Sequence, residues 1–349
     1  MVVLGADLHK RTHTVVAVDD RGRKLGERTV SASRDGHLEL RRWAGQWPER
    51  RWALEDGRHL SRRLESDLVR AGEDVVRVPP KLMAGARRSS REPGKSDPID
   101  ALAVARAALR EPDLPTARLD GVEREVRLLV DRREDLVAER TREMQRLRWF
   151  LVELEVEEPA AAALDRAVVQ ARLATQLAGR TELVARFARE ILARIVELSH
   201  AIRDLEREID VRVRPLAPRL LALVGCGPLT AAKLVGETAG AGRFRSKEAF
   251  ARHNGTAPVP VWSGNSVRHR LSRGGNRQLN VAIHRIAITQ VRLGGPAKAY
   301  VDHRRARGNT KTEALRALRR RLSDEVFRRL RLDEGTRLEA ESALTAAAA

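Results

Sequence analysis

The chain has 349 residues, a net charge of +19 and 33% charged residues, enough length for two or three domains with a sizeable core. Only eight of its 67 basic residues are Lys, and Arg grips phosphate through a planar fork where Lys offers a point charge. Aromatics at 3% argue against recognition by base stacking, and the single cysteine, Cys226, excludes an internal disulfide framework and a cysteine-based zinc site. The opening MVVLGADLHK does not read as a signal peptide, and no run approaches the ~18 apolar residues of a membrane span. The expectation is a soluble, cytoplasmic protein whose partner is a polyanion, DNA or RNA, with no membrane role.

Residues 1–115 read as an α/β domain. Val2–Leu8, Thr14–Val18 and Lys24–Val30 suggest a meander of three strands, with Asp19, Asp20, Arg21 and Gly22 as a turn. A helix follows over His37–Trp47, then a strand Arg51–Leu54 ending at Glu55, and a helix Leu60–Ala71 halted by Gly72. Val75–Val78 is a strand stopped by Pro79 and Pro80, and 84–94 is polar, basic and loop-like. Asp97–Leu109 is a helix with Asp97 as N-cap, Pro98 at its first position and Pro112 beyond its end. Strands alternating with helices in this order predict a mixed sheet.

Residues 116–215 change character. Apolar positions 122, 126, 129, 136, 147, 150 and 154 make one seam, and Ile191, Ile195, Leu198, Ile202, Leu205 and Ile209 a cleaner one. Two long helices of this spacing form an antiparallel hairpin, an intermolecular coiled coil that serves as an oligomerisation arm, or a plain bundle core. Residues 216–332 are a third, mostly helical region with two glycine-rich interruptions. Over 241–332 basic residues outnumber acidic ones more than four to one, while the rest of the chain is nearly balanced, which places the polyanion footprint near the C-terminal end. Residues 333–349 read as a disordered tail.

Two constellations carry chemistry. Asp7 and Glu55 stand at strand ends, and Asp97 and Asp100 share one helical face. Four carboxylates at one sheet edge repel one another and call for cations; oxygen donors without cysteine suit a pair of Mg²⁺ ions about 4 Å apart, the arrangement used in phosphodiester chemistry. N-caps and surface carboxylates are the competing reading. In the C-terminal region Gly225, Cys226 and Gly227, with Pro228 opening the next helix, read as helix, turn, helix. That resembles a helix-hairpin-helix that binds DNA backbone through turn amides, or is simply a tight turn. Lys233 reads as a phosphate contact or a solvated charge. Further on, Ser263 and Gly264 stand in a loop before Arg268, Arg270, Arg273, Asn276 and Arg277, a serine beside cations that neutralise phosphate.

The segments Gly5-Ala6-Asp7-Leu8-His9-Lys10, Ala53-Leu54-Glu55-Asp56-Gly57 and Lys95-Ser96-Asp97-Pro98-Ile99-Asp100-Ala101 resemble the motifs of the insertion-sequence 110 family of transposases. Gly255, Pro258, Ser263-Gly264 and Gly275-Asn276-Arg277 match further family elements, with Trp262 standing where the family has a first serine. The resemblance implies an RNase H-like (RuvC-like) N-terminal domain, a coiled coil and a transposase domain. It also implies that Asp7, Glu55, Asp97 and Asp100 bind metal and that Ser263 is the nucleophile, meeting the carboxylates of another subunit in a dimer or tetramer. The implied partners are donor and target DNA and a structured noncoding guide RNA, the bridge RNA. Two rival functions remain: a metal-dependent junction nuclease that uses water instead of serine, and an inactive nucleic-acid-binding copy.

Overall fold

In the computed structural model, Val2–Leu8 (β1) is apolar on both faces, which only a strand covered from both sides tolerates. The structure describes residues 1–348 except 56–59, 81, 84–95, 112, 120, 158, 160–162, 264–265 and 273; for 263, 266–268, 271, 341 and 344–348 it describes the backbone alone. β1 lies at the centre of a five-stranded sheet. It pairs antiparallel with Thr12–Val18 (β2), which pairs antiparallel with Lys24–Ser31 (β3), and parallel with Arg50–Glu55 (β4), which pairs parallel with Val75–Val78 (β5). This is the expected mixed sheet of a meander followed by two parallel strands. The helix Arg34–Ala44 (α1), capped by the Ser33 hydroxyl, and the helix Arg62–Arg70 (α2) cover one face over Leu4, Ala6, Trp52 and Leu54. The helix Asp97–Arg110 (α3) covers the other face over Val3, Val16 and Ala53. The expected loop over 84–94 lies outside the described residues.

Met1–Gly121 and Gly240–Ala349 form one compact unit, and Val122–Ala239 another. In the second unit Val122–Glu153 (α4) and Leu183–Leu216 (α6) run antiparallel: Glu125 pairs with Arg212, Arg133 with Glu206, and Glu139 with Arg194. Leu136, Leu198 and Ile202 pack between them. The helix Ala167–Ala178 (α5) closes the far end with Leu173 and Leu177 against Leu147, Leu151 and Leu192. Of the seam anticipated in α4, Val122 is exposed, and Val130 and Leu151 join the buried set. One turn, Pro218–Leu221 (α7), and the helix Pro228–Thr238 (α8) belong to this unit, so the boundary expected at 215 falls inside it. The reason is packing: α8 is buried along most of its length, and a Cβ at Gly236 would lie 2.8 Å from Arg127 Cβ on α4.

In the first unit, residues after 240 form the helix Lys247–His253 (α9), a hairpin of Pro258–Ser263 (β6) and Ser266–Leu271 (β7), and the helices Arg277–Leu293 (α10), Pro296–Ala306 (α11) and Lys311–Ala348 (α12). The hairpin and the end of α12 depart from expectation. Residues 333–348 continue α12 as helix rather than forming a disordered tail, because Glu334 pairs with Arg118 and accepts from the Gly242 amide, and Asp333 is buried. No helix among the described residues is long and apolar enough to cross a membrane.

Candidate functional site

The carboxylate site is built around an absent side chain. Gly5 lies two residues before Asp7 on the same face of β1, and a Cβ there would lie 2.3 Å from the Ala101 carbonyl oxygen and 2.4 Å from the Ala105 nitrogen. α3 therefore rests directly on β1, and its first turn brings Asp97 and Asp100 to the end of the strand where Asp7 sits. Asp7 is 5% exposed and Asp100 6% exposed. The parallel register pairs Gly5 with Ala53 and Ala6 with Leu54, and Ala53 packs on the α3 side, so strand alternation gives position 55 the same side as position 7. Asp97 and Asp100 lie close enough to Asp7 to act on its carboxyl, whereas Glu55 is related to them only by its strand position on that sheet face. Asp56 lies outside the described residues.

Asp97 is not the cap of its helix. Ser96 occupies that position with extended backbone, Asp97 is the first helical residue, and Pro98 follows it. Its half-exposed carboxylate is turned instead to His9, whose Nε2 is 3.3 Å from Asp97 Oδ1 and 3.1 Å from Asp7 Oδ2. Asp7, His9 and Asp97 each offer a ligand atom within 4.8 Å of the others. Sequence reasoning missed His9; the signal was its position two residues beyond Asp7, which alternation places on the same side.

Burial pushes the Asp7 carboxyl above its ordinary value; His9 opposes that, while Asp100 and Asp97 add to it. Carboxylates that raise one another's proton affinity are relieved by a divalent cation, and hard oxygen donors fit Mg²⁺. Asp7 and Asp97, with His9 between them, place ligand atoms where such an ion would sit.

In the C-terminal part, Ser263 ends β6 with Ser266 as its register partner, so it closes a strand rather than standing in a loop. Gly264 and Asn265, which join the strands, lie outside the described residues, as does Arg273; of Arg268 the backbone alone is described. Trp262 is 72% exposed. The glycine elements abut: Gly255 has φ +72°, and a Cβ on Gly275 would lie 2.2 Å from the Gly255 nitrogen. Asn276 donates its amide to the His253 carbonyl, and its side chain accepts from the amides of Gln278 and Leu279. It is the cap of α10, a structural duty where the sequence suggested a phosphate contact. Arg270 and Arg277 are exposed.

Lys233 is a correction. It is buried on α8, with its ammonium 2.7 Å from Glu134 and 3.8 Å from Asp131, so it balances α4 rather than reaching phosphate. Gly225 takes φ +84°, and Gly227 precedes α8, whose first residue is Pro228 as expected. The preceding helix, α7, is a single turn, shorter than the helix-turn-helix reading anticipates. Cys226 is buried in the turn.

Residues 4–155 match a family described as transposase (DEDD type, IS110), and residues 217–302 match the transposase IS116/IS110/IS902 family. An uncharacterized 44.8 kDa protein of insertion element IS116 from Streptomyces clavuligerus is 29% identical, covering 94% of each chain. An uncharacterized 42 kDa protein of insertion element IS900 from Mycobacterium paratuberculosis is 26% identical over 94% of this chain and 95% of its own. Among solved structures, T. thermophilus RuvC in complex with Holliday junction substrate matches 34% of this chain and 99% of its own, at 17% identity and a TM-score of 0.27.

Proposed function

Because the chain belongs to the IS116/IS110/IS902 family of transposases, we propose that it is the recombinase of an insertion sequence, exchanging DNA strands through a phosphoserine intermediate under the guidance of a structured RNA. The observation that supports this best is the approach of Asp97 and Asp100 to Asp7 through the α3–β1 contact at Gly5, with Glu55 expected to complete the set from the neighbouring strand. These residues would hold Mg²⁺, which when bound polarises the phosphate and stabilises the leaving oxygen. His9 positions Asp7 and Asp97.

Ser263 Oγ attacks a DNA phosphorus; the Oγ–P bond forms, the P–O3′ bond breaks, and the serine proton passes to solvent as the 3′ oxygen is protonated. A 3′-hydroxyl of the other duplex then attacks the phosphoserine, re-forming a phosphodiester and releasing the serine. The phosphodiester energy is conserved, so no external source is needed. Arg268, Arg270, Arg273 and Arg277 neutralise the phosphate approached by the serine, and the Gly225–Gly227 turn offers backbone amides. Exchange of two duplexes requires at least a dimer. The α4–α6 pair supplies a surface for it, with Trp149 76% and Val211 70% exposed.

The test is a covalent adduct. The protein is incubated with Mg²⁺, RNA transcribed from the element's flank and end-labelled junction DNA, and resolved on a denaturing gel. A labelled protein band, absent with Ser263→Ala and with Asp7→Asn, is the expected result. Cleavage without an adduct, surviving Ser263→Ala, would assign the protein to the hydrolytic nucleases. Salt-sensitive binding with neither product would leave only a nucleic-acid binder.

A further inference from the structure

A second cationic feature borders the motif residues Gly255, Pro258 and Arg270 and extends from them to α11 and α12. β7, α11, the turn at 308–310 and the start of α12 enclose a cleft of about 720 Å³. Arg270, Arg304, Arg316, Arg319 and Arg321 line it, with Tyr300. Its charge is poorly compensated. Arg304 and Arg316 have no ion pair among the described residues, and the Nε atoms of Arg304 and Arg319 are buried without a hydrogen-bond partner. Arg319 spends one nitrogen on Asn280 Oδ1, 3.0 Å away, and burial together with Arg316 pushes its pKa below the ordinary value. The acidic lining residue Glu313 accepts from the Thr310 amide and hydroxyl, capping α12. Arg321 lies over the Tyr300 ring, 4.2 Å from its centroid.

Guanidinium groups crowded in a concave site repel one another, and partnerless buried N–H groups each cost free energy that an oxyanion would recover. The ligand must therefore carry several negative oxygens. The cleft is within the size range of small-molecule pockets, room for one or two nucleotide units and not for a double helix. A groove of cations with an Arg-backed aromatic ring is the physical pattern of single-strand binding.

We propose that this cleft seats the phosphodiester backbone of an unpaired nucleic-acid strand. The proposal rests on the reading of the chain as a nucleic-acid recombinase but asks nothing of its chemistry. The strand held here is one that has left its duplex, of DNA or of RNA, since both present the same phosphates.

The experiment uses the full chain in EDTA, with fluorescence anisotropy of a labelled oligo-dT, an oligo-rU and a 20-base-pair duplex across a salt series. Arg304→Gln/Arg316→Gln is compared with Arg305→Gln/Arg307→Gln, an exposed pair that removes the same charge nearby. The cleft pair is expected to weaken single-strand binding about 10-fold or more and to flatten the salt slope by about 1.4, or about 0.7 for each phosphate left without its arginine. Duplex binding and the effect of the outer pair are expected to change several-fold less. A preference for oligo-dT or oligo-rU would identify the strand. Equal losses from both pairs, or an equal loss for duplex, would overturn the proposal. Should the cleft pair lower the melting temperature, exposed Arg321→Gln, which also lines the cleft, carries the same comparison without touching the interior. Binding in EDTA needs neither metal nor Ser263, so a missing adduct would sink the strand-exchange chemistry and leave this cleft standing, and the reverse also holds.

Discussion

Asp7 and His13 are neighbours in sequence with opposite electrostatic fates. Asp7 is a buried carboxylate whose proton affinity is raised by burial and by Asp100 and Asp97, against the pull of His9. Folding then favours the protonated form, so stability falls as pH rises from the ordinary carboxylate range through the raised value, and the cost persists at neutral pH. Asp7→Asn is therefore expected to raise the melting temperature of the metal-free protein at pH 7 while abolishing adduct formation, checked by thermal melts beside the gel assay. An unchanged or lower melting temperature would contradict the repulsion. His13 is buried on β2, its ring stacked on His37 at 5.3 Å, while His37 Nδ1 meets Asp67 at 2.6 Å. Burial first, then His37, lower His13 to about 4. A base depressed in the folded state stays neutral until pH nears that value while the unfolded chain takes up its proton earlier. Stability should therefore decline as pH falls from about 6.5 toward about 4, by on the order of 2–3 kcal/mol at most. Urea titrations from pH 7 to pH 4.5 should show a shallower decline in His13→Gln than in the parent.

At the scale of elements, the α3–β1 contact decides whether there is a site. Gly5→Ala would drive a methyl into the Ala101 carbonyl and the Ala105 amide. The expected cost is about 2–3 kcal/mol, with loss of metal-dependent activity larger than the stability loss explains, because Asp97 and Asp100 ride on the displaced helix. Retained activity in a soluble, folded Gly5→Ala protein would show that α3 need not sit so close. The helices were legible where period and flanking prolines agreed, as at Asp97–Arg110, whose cap is nonetheless Ser96 and not Asp97, and in the seam Ile195, Leu198, Ile202 and Ile209. The hairpin of β6 and β7 was not. Pro258 and Pro260 suppress a strand reading, and alternation over Val259, Val261, Val267 and His269 is visible only once the two strands are paired. Lys233 was misread for a related reason: its partners Asp131 and Glu134 lie about a hundred residues earlier.

Across the whole molecule, residues from both ends of the chain meet in one unit. Asp113 is held by Arg245 and Arg252, and Glu334 by Arg118 and the Gly242 amide. The end of α12 is thus part of the fold. Deleting 333–349 is expected to destabilise the protein by about 1–2 kcal/mol, through lost hydrogen bonds to a charged group, whereas deleting 340–349 should leave the melting temperature near that of the parent. Equal melting temperatures would restore the disordered-tail reading.

The amino-acid sequence by itself determined the order of strands and helices in residues 1–115 and the concentration of Arg toward the C-terminal end. Each of these depends on local period, capping or composition, which neighbours in the chain encode. Tertiary structure alone decided that His9 bridges Asp7 and Asp97, that Lys233 is neutralised inside the helical unit, that residues 216–239 join that unit, and that Arg270, Arg304, Arg316 and Arg319 line one cleft. These depend on which distant faces come within a few ångströms, and close packing and charge pairing act on distance in space, not on separation along the chain.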